Sequence, residues 1–494
     1  MKQVRLILVG CGPHARRVYL PALAKLRAQF NFELVLVIDL EATREIVNTA
    51  LAQHGFESQV LFINPFEDEL PEQLERTLSS VVNTMQVNGV IIATEPLVHR
   101  TYAEWAIRNK LSILMDKPVT ARTNSASQLT SADGILQDYL QLLALYQSAQ
   151  TQKETIFVVN SQRRFHAGFR FVERLIREVS DKTGCPVTSI QSSHCDGQWR
   201  FPSEIVTQDY HPYSSGYGKA SHSGYHIFDM LYRLYTASGI TSKFADAMEI
   251  VSSFVQPIGF IQQLTEDDYY KLFQSDYNAV KQWSDDQLKA IYNGYGEIDI
   301  SSIISLKRNE VVIANLSFNL VHNGFSRRTW LLPGQDLYKG NGRVKHEHHN
   351  IQQGPFQNIQ IHSYQSIDQH DGLTSIEDDL GNANHFDVYV FRNPLVTNSD
   401  ESLAVYKFRD ILSEMEQATH TQLLMESAKY QVIEEFIDYL AGCRPKEGVA
   451  SQIEDHLVPV QIMSGVYRSH VLRQSGLDGV VRMPFGLASR EGSV

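Results

Sequence analysis

The chain has 494 residues, too many for one ordinary core, and no low-complexity spacer divides it, so two packed domains are expected. Hydrophobic residues make up 43% and charged residues 20%, the balance of a globular chain, and a formal charge of -12 argues against the basic surface that a nucleic acid or an anionic membrane demands. Four scattered cysteines without CxxC spacing suit a reducing compartment, and no apolar run is long enough to span a bilayer. The composition therefore reads as that of a cytoplasmic protein with a small-molecule partner.

The first part alternates short apolar runs with helical patterns, as a doubly wound parallel sheet requires. Strands are predicted at 4–9, 33–38, 60–63, 89–93, 112–115 and 156–159, with helices at 14–28, 41–53, 70–85 and 98–109 between them. This gives an α/β Rossmann domain over 1–160. The remainder, 161–494, reads as an α+β substrate-binding and oligomerisation domain, with β-prone segments at 187–193, 247–255, 298–306 and 310–320 and two insertions. The first insertion, 257–296, holds Thr265 with Asp268 and Ser284 with Gln287, each at capping-box spacing, and is predicted helical. The second, 333–383, is rich in Gly, Asn, Gln and His and is predicted mainly loop with some strand. Helices are expected again at 430–441 and 453–473.

Directly after the first strand and before a helix stands Gly10-x-Gly12-x-x-Ala15. Gly10 permits a tight turn, Gly12 lets the backbone approach a pyrophosphate, and Ala15 allows close helix packing, with the phosphates on the free N–H groups of that helix. Cys11, Pro13 and His14 complete the turn. Asp39 closes the second strand, where a carboxylate meets the adenosine ribose hydroxyls and repels a 2′-phosphate. NAD is therefore expected, with NADP possible because Arg44 follows closely. The fourth strand runs into Thr94-Glu95-Pro96 with His99 beyond, and the fifth ends in Asp116-Lys117-Pro118. Ligands of open α/β sheets gather at such strand ends, so both turns should face the nicotinamide.

These features, with Gln162-Arg163-Arg164-Phe165, Gly216-x-Gly218 and Gly224-Tyr225-His226-x-x-Asp229, resemble the glucose-fructose oxidoreductase, inositol dehydrogenase and rhizopine-catabolism family, Gfo/Idh/MocA. The resemblance implies a second domain with a large open, mostly antiparallel sheet, and a homo-oligomer, dimer or tetramer. It implies reversible oxidation of a secondary hydroxyl on a sugar- or cyclitol-like substrate. Lys117 would contact the nicotinamide ribose and the substrate, His226 would accept the proton, and Arg164 would lie near the cofactor. One departure stands out. His222 occupies the place of the aspartate that most dehydrogenases of the family carry four residues before the histidine, so His222 and His226 share a helix face. Either another carboxylate supplies that role, or the proton chemistry differs, or the site has lost catalysis.

Among His194, Trp199, Arg200, Asp209, Tyr210, His211 and Tyr213, the best pocket candidates are Trp199 and Tyr213, which offer aromatic faces to a sugar. His222 and His226 also have metal-ligand spacing, with His346, His348 and His349 as further ligands, but no HExxH accompanies them and no metal is expected. Two alternative functions fit the same residues: a redox-neutral NAD-dependent glycosidase, and a non-catalytic dinucleotide sensor.

Overall fold

The computed structural model describes residues 2–66, 69–322, 326–327, 345–365, 384–397, 401–415 and 424–486. They divide into two compact units.

The first unit comprises Met1–Ala121, Ile135–His166 and Leu424–Val460. Its strands are β1 (Val4–Val9), β2 (Phe32–Leu40), β3 (Gln59–Ile63), β4 (Gly89–Ile92), β5 (Ser112–Asp116) and β6 (Phe157–Asn160). They form one parallel sheet in the order β3-β2-β1-β4-β5-β6. The order reverses between β1 and β4, the crevice where open α/β sheets bind ligands. β1 is apolar at every position but Arg5 and buried at those five of its six residues, as a strand covered on both faces must be.

The sequence placed everything after residue 160 in the second domain, yet Leu424–Val460 returns to the first. The helix Leu424–Leu440 sets Val432, Ile433, Phe436, Ile437 and Leu440 into the core with Leu6 and Leu8. Gly89 makes room for it, because a Cβ there would stand 2.6 Å from a Leu440 methyl and 2.8 Å from one of Leu6. The helical period of 430–441 was visible in the sequence, but nothing local says which sheet a helix covers.

The second unit comprises Arg122–Gly134, Ala167–Leu423 and Gln461–Val494. Its strands are β7 (Ser189–Cys195), β8 (Gln198–Trp199), β9 (Ala247–Val255), β10 (Asp299–Arg308), β11 (Val311–Val321), β12 (Ser326–Arg327), β13 (Lys345–Gln353), β14 (Gln357–Gln365), β15 (Asn384–Arg392), β16 (Leu403–Tyr406) and β17 (Val481–Pro484). Nine form a sheet in the order β16-β15-β14-β13-β7-β11-β10-β9-β17, antiparallel except between β7 and β11, while β8 and β12 pair separately. Helices Ala167–Thr183 and Tyr225–Thr236 pack on one face, where Phe169 meets Phe386 at 5.4 Å and Phe228 meets Phe318 at 5.3 Å between ring centroids.

Both predicted capping boxes are present. Thr265 accepts from the Asp268 N–H at the start of Glu266–Phe273, and Ser284 does the same for Gln287 at Asp285–Ile291. The second insertion is described only at 345–365, which supplies the strand part of the expectation of mainly loop with some strand. Its residues 345–365 build β13 and β14, with β13 beside the central β7, whereas 333–344 and 366–383 lie outside the described residues. The strand period was masked because several inward positions are polar. His349 bonds Ser192 Oγ at 2.8 Å and Glu347 at 2.9 Å, and Gln353 donates to Ser180 Oγ at 2.8 Å.

Candidate functional site

In the first unit, Gly10 takes φ +85°, and a Cβ there would stand 2.6 Å from the Ala93 carbonyl oxygen, so only glycine lets the turn lie against the end of β4. A Cβ on Gly12 would meet nothing within 4 Å. That open space lies where a pyrophosphate would approach the backbone. Pro13 is exposed, and Ala15 is fully buried at the foot of the following helix. The predicted helix 14–28 begins as a wider π turn, Ala15–Tyr19, before tightening into Leu20–Leu26.

Asp39, at the end of β2, ties this turn to its own strand. It accepts from the Cys11 N–H at 2.7 Å and from the Leu40 N–H at 2.6 Å, and it is only half-buried. Burial and the Asp39 charge push the Cys11 thiol up to about 11, which leaves it a neutral packing residue. Arg44 is engaged with Glu41 through two hydrogen bonds of 2.8 and 2.7 Å and lies over the Phe62 ring at 4.2 Å.

Across the switch point, Thr94 Oγ1 is buried without a hydrogen-bond partner, an acceptor and donor in search of a ligand. Pro96 opens the short turn Pro96–Val98. His99 is fully buried, with Nδ1 2.8 Å from the Pro118 carbonyl and Nε2 3.1 Å from the Thr94 carbonyl. Burial lowers its pKa to about 4 despite those two carbonyls, so the ring is neutral and donates to only one of them. His99 thus braces the turns after β4 and β5 against each other.

Asp116 closes β5 as the centre of a buried network that the sequence did not reveal. Its Oδ1 accepts from the Tyr19 phenol and, at 3.0 Å, from the Asn160 amide, while His14 Nε2 lies 3.8 Å away. Burial raises both the Asp116 carboxyl and, more strongly, the Tyr19 phenol. Lys117 follows half-buried, and its positive charge is felt by both Asp116 and His99. Arg164 is buried and meets the returning segment, with Nη1 3.3 Å from a carboxylate oxygen of Asp455 and Nη2 donating to the Asp455 main-chain oxygen at 3.1 Å.

In the second unit, the Gly216-x-Gly218 turn leads into a π-wound segment, Ala220–Gly224, continued by the helix Tyr225–Thr236. Gly218 is forced by contact, since a Cβ would fall 2.0 Å from the Glu297 carbonyl oxygen. His222 and His226 are both 8% exposed, and Asp229 is fully buried. His222 lies in an aromatic nest, with His211 stacked at 4.6 Å and the rings of Tyr213 and Tyr217 at 5.4 and 5.6 Å. Tyr213 therefore meets a candidate catalytic residue. Trp199 stacks on Tyr269 at 6.1 Å and packs against Phe201 and Phe273 at 5.6 Å each, bridging β8 and the helical insertion.

Two carboxylates here escaped the sequence reading. Lys219 Nζ lies 2.7 Å from Asp196, 3.4 Å from His194 Nδ1, and donates to the Val321 carbonyl at 2.8 Å. Burial opposes the Asp196 charge, yet Lys219, His194 and Arg200 hold its carboxyl well below the usual range. Glu297 is fully buried and accepts from the Ala220 N–H at 2.7 Å and the Tyr467 phenol at 2.9 Å. Glu297 stands just past the predicted insertion, and its sequence neighbours carry no motif. His346, His348 and His349 lie along β13, and among the described residues no group of three His, Cys, Asp or Glu side chains is arranged to hold a metal ion.

Residues 4–133 match the family model described as oxidoreductase family, NAD-binding Rossmann fold, Gfo/Idh/MocA. No curated protein sequence matches the chain. Similar solved structures include an oxidoreductase from Agrobacterium radiobacter in complex with NAD+, L-tartaric acid and magnesium, at 11% identity and TM-score 0.55, covering 98% of this chain and 99% of that one. An aldose-aldose oxidoreductase from Caulobacter crescentus complexed with glycerol gives 13% identity and TM-score 0.53, covering 98% and 100%. A 3-ketoreductase from Actinomadura kijaniata in complex with NADP and TDP-benzene gives 12% and 0.52, covering 94% and 97%. At such identities these likenesses speak for the fold. Among the described residues no helix is long and apolar enough to cross a membrane. The turn at Gly10, the sheet order and the match over its residues together make the first unit an NAD-binding Rossmann domain of the Gfo/Idh/MocA oxidoreductase family.

Proposed function

We propose that the chain is an NAD-dependent dehydrogenase that oxidises a secondary hydroxyl of a sugar- or cyclitol-like substrate. The observation that carries this reading is the intact dinucleotide turn: Gly12 opens onto free space, Asp39 clamps the Cys11 N–H, and Thr94 Oγ1 awaits a partner. Similar structures hold NAD+ or NADP, and one is an aldose-aldose oxidoreductase, which supports the cofactor and the substrate class.

When bound, the nicotinamide supplies the hydride acceptor. The residues Gly10 to Ala15 would hold the pyrophosphate on main-chain N–H groups, and Asp39 would take the adenosine ribose hydroxyls. Lys117, kept next to the braced turn at His99, supplies a positive charge that favours the alkoxide form of an alcohol. His226 is the proton acceptor implied by the family resemblance, and an imidazole needs little shift to serve at neutral pH. His222, packed against His211, Tyr213 and Tyr217, would orient the substrate on the same helix. A homo-oligomer belongs to the same reading, built through the sheet face that leaves Ile303 58% and Val251 37% exposed.

The test is to incubate the purified protein with NAD and a panel of sugars, inositols and glycosides while following NADH. Accumulation with one polyol, lost by about 100-fold or more in Lys117→Ala while NAD binding persists, supports the dehydrogenase. Release of an aglycone without NADH replaces it with the redox-neutral glycosidase. Tight cofactor binding with neither product replaces it with the sensor.

A further inference from the structure

The helix bearing His222 and His226 lacks the acidic residue that the family resemblance leads one to expect at position 222, so the carboxylate governing this segment must be sought elsewhere in the second unit. Glu297 meets the requirement by contact. It has no exposed surface, and its Oε1 lies 2.7 Å from the Ala220 nitrogen, the first residue of the segment that carries His222. Its main-chain oxygen accepts from the Lys219 N–H at 2.9 Å, so the same residue holds two successive N–H groups of that segment. The second carboxylate oxygen, Oε2, is buried with no hydrogen-bond partner. A structural carboxylate would be expected to have both oxygens satisfied.

The surroundings are specific. From the helix Leu457–Gln474, Tyr467 donates to Glu297 Oε1 at 2.9 Å, and its phenol lies 3.0 Å from Ser221 Oγ and 3.3 Å from the Gly218 nitrogen. Tyr213, which packs edge-on to His222, feels the charges of Arg200, Asp196, Glu297 and Asp299. Lys219, next in the chain, is committed to Asp196. The Tyr467 phenol and the Ala220 N–H thus touch the carboxyl, the Ser221 hydroxyl meets that phenol, and the cationic Arg200 and the anionic Asp196 and Asp299 are felt at Tyr213.

The geometry points to Glu297 as the positioning residue of the histidine helix, gripping the Ala220 N–H more tightly when ionised than when neutral and so setting how firmly His222 and His226 are held. A charge-assisted hydrogen bond at a helix start is stronger than a neutral one, and the negative charge suits the positive end of the helix dipole. Burial raises the carboxyl to about 7, opposed by its hydrogen bonds from Ala220 and Tyr467, so the change of grip falls within the physiological range. The consequence for turnover rests on the dehydrogenase reading, whereas the grip itself does not.

The test is hydrogen exchange of the Ala220–Gly224 amides in the full chain between pH 5.5 and 8.5, corrected for intrinsic exchange rates. In the wild type, protection should rise about threefold or more through a midpoint near 7, and in Glu297→Gln it should be lower and independent of pH. Tyr467→Phe removes a hydrogen bond that favours the ionised carboxylate, so the midpoint should move to higher pH. Wild-type protection and pH dependence in Glu297→Gln overturn the proposal, and so does an unmoved midpoint in Tyr467→Phe, which also decides the matter if the glutamine variant does not fold. Where turnover is measurable, Glu297→Gln should flatten the neutral step in kcat while leaving KM for NAD unchanged. If no substrate is ever turned over, the dehydrogenase reading fails but the exchange result still stands or falls alone.

Discussion

The Cys11 N–H donates to a carboxylate oxygen of Asp39 at 2.7 Å, joining the dinucleotide turn after β1 to the end of β2. One side chain therefore shapes the pyrophosphate turn and presents its charge where an adenosine ribose would lie. Asp39→Ala should cost about 1.5–3 kcal/mol of stability, the range for hydrogen bonds to charged groups, and weaken NAD binding tenfold or more. Asp39→Asn keeps an acceptor for the Cys11 N–H but loses the charge, so it should recover much of the stability while relaxing discrimination against NADP. Thermal unfolding with calorimetric titration of both cofactors checks this. Equal NAD affinity in wild type and Asp39→Ala would remove Asp39 from the site.

Cofactor choice should also run through Glu41. Arg44 is the one cation close to Asp39 in sequence that could greet a 2′-phosphate, and Glu41 occupies its guanidinium through two hydrogen bonds. Glu41→Gln should free Arg44 and shift the NADP-to-NAD affinity ratio upward by about tenfold, an effect that shrinks as salt is raised. Adding Arg44→Ala should abolish the shift. A ratio unchanged in the single variant would place Arg44 outside the reach of the ribose.

What the sequence made legible was what is encoded locally. Gly10 announces a turn because its φ of +85° and its 2.6 Å clearance to Ala93 admit no side chain, and Thr265 with Asp268 announces a helix because the cap is made by residues three apart. The parallel sheet followed from the same short-range alternation. The contacts and roles that were missed depend on distant partners. Asp116 gains its network from Tyr19 and Asn160, which lie 97 and 44 positions away, and Glu297 gains its role from Ala220, 77 positions away. Trp199 illustrates the same limit: its indole is the kind of face a sugar stacks on, and its packing on Tyr269 becomes visible only with the folded insertion.

The neutral state of His99 makes a pH prediction with a defined sign. Its pKa is about 4 in the folded chain against an ordinary 6.5, so the unfolded chain takes up the proton first. The stability it contributes is complete above pH 6.5 and is lost as pH falls toward 4, by about 3 kcal/mol for a difference of this size. His99→Gln, which cannot be protonated, should lack that share of the acid destabilisation while losing part of the brace between Thr94 and Pro118. Denaturant unfolding of both proteins from pH 7 to pH 4.5 provides the comparison. Parallel curves would mean that His99 does not carry the acid sensitivity.

Trp199 tests whether aromatic character before the histidine helix serves packing or substrate. Its indole N–H lies 3.4 Å from the Tyr269 hydroxyl, and its ring fills the space between Phe201, Tyr269 and Phe273. Trp199→Ala should therefore open a cavity and destabilise the second unit by about 3 kcal/mol, toward the lower end for truncating a large aromatic because the residue is only half-buried. Trp199→Phe should restore much of that loss, since the ring contacts survive and only the indole N–H is given up. A rise in substrate KM at unchanged stability would reverse the assignment, for a residue that lines a pocket loses affinity when truncated, whereas one that joins two elements loses fold.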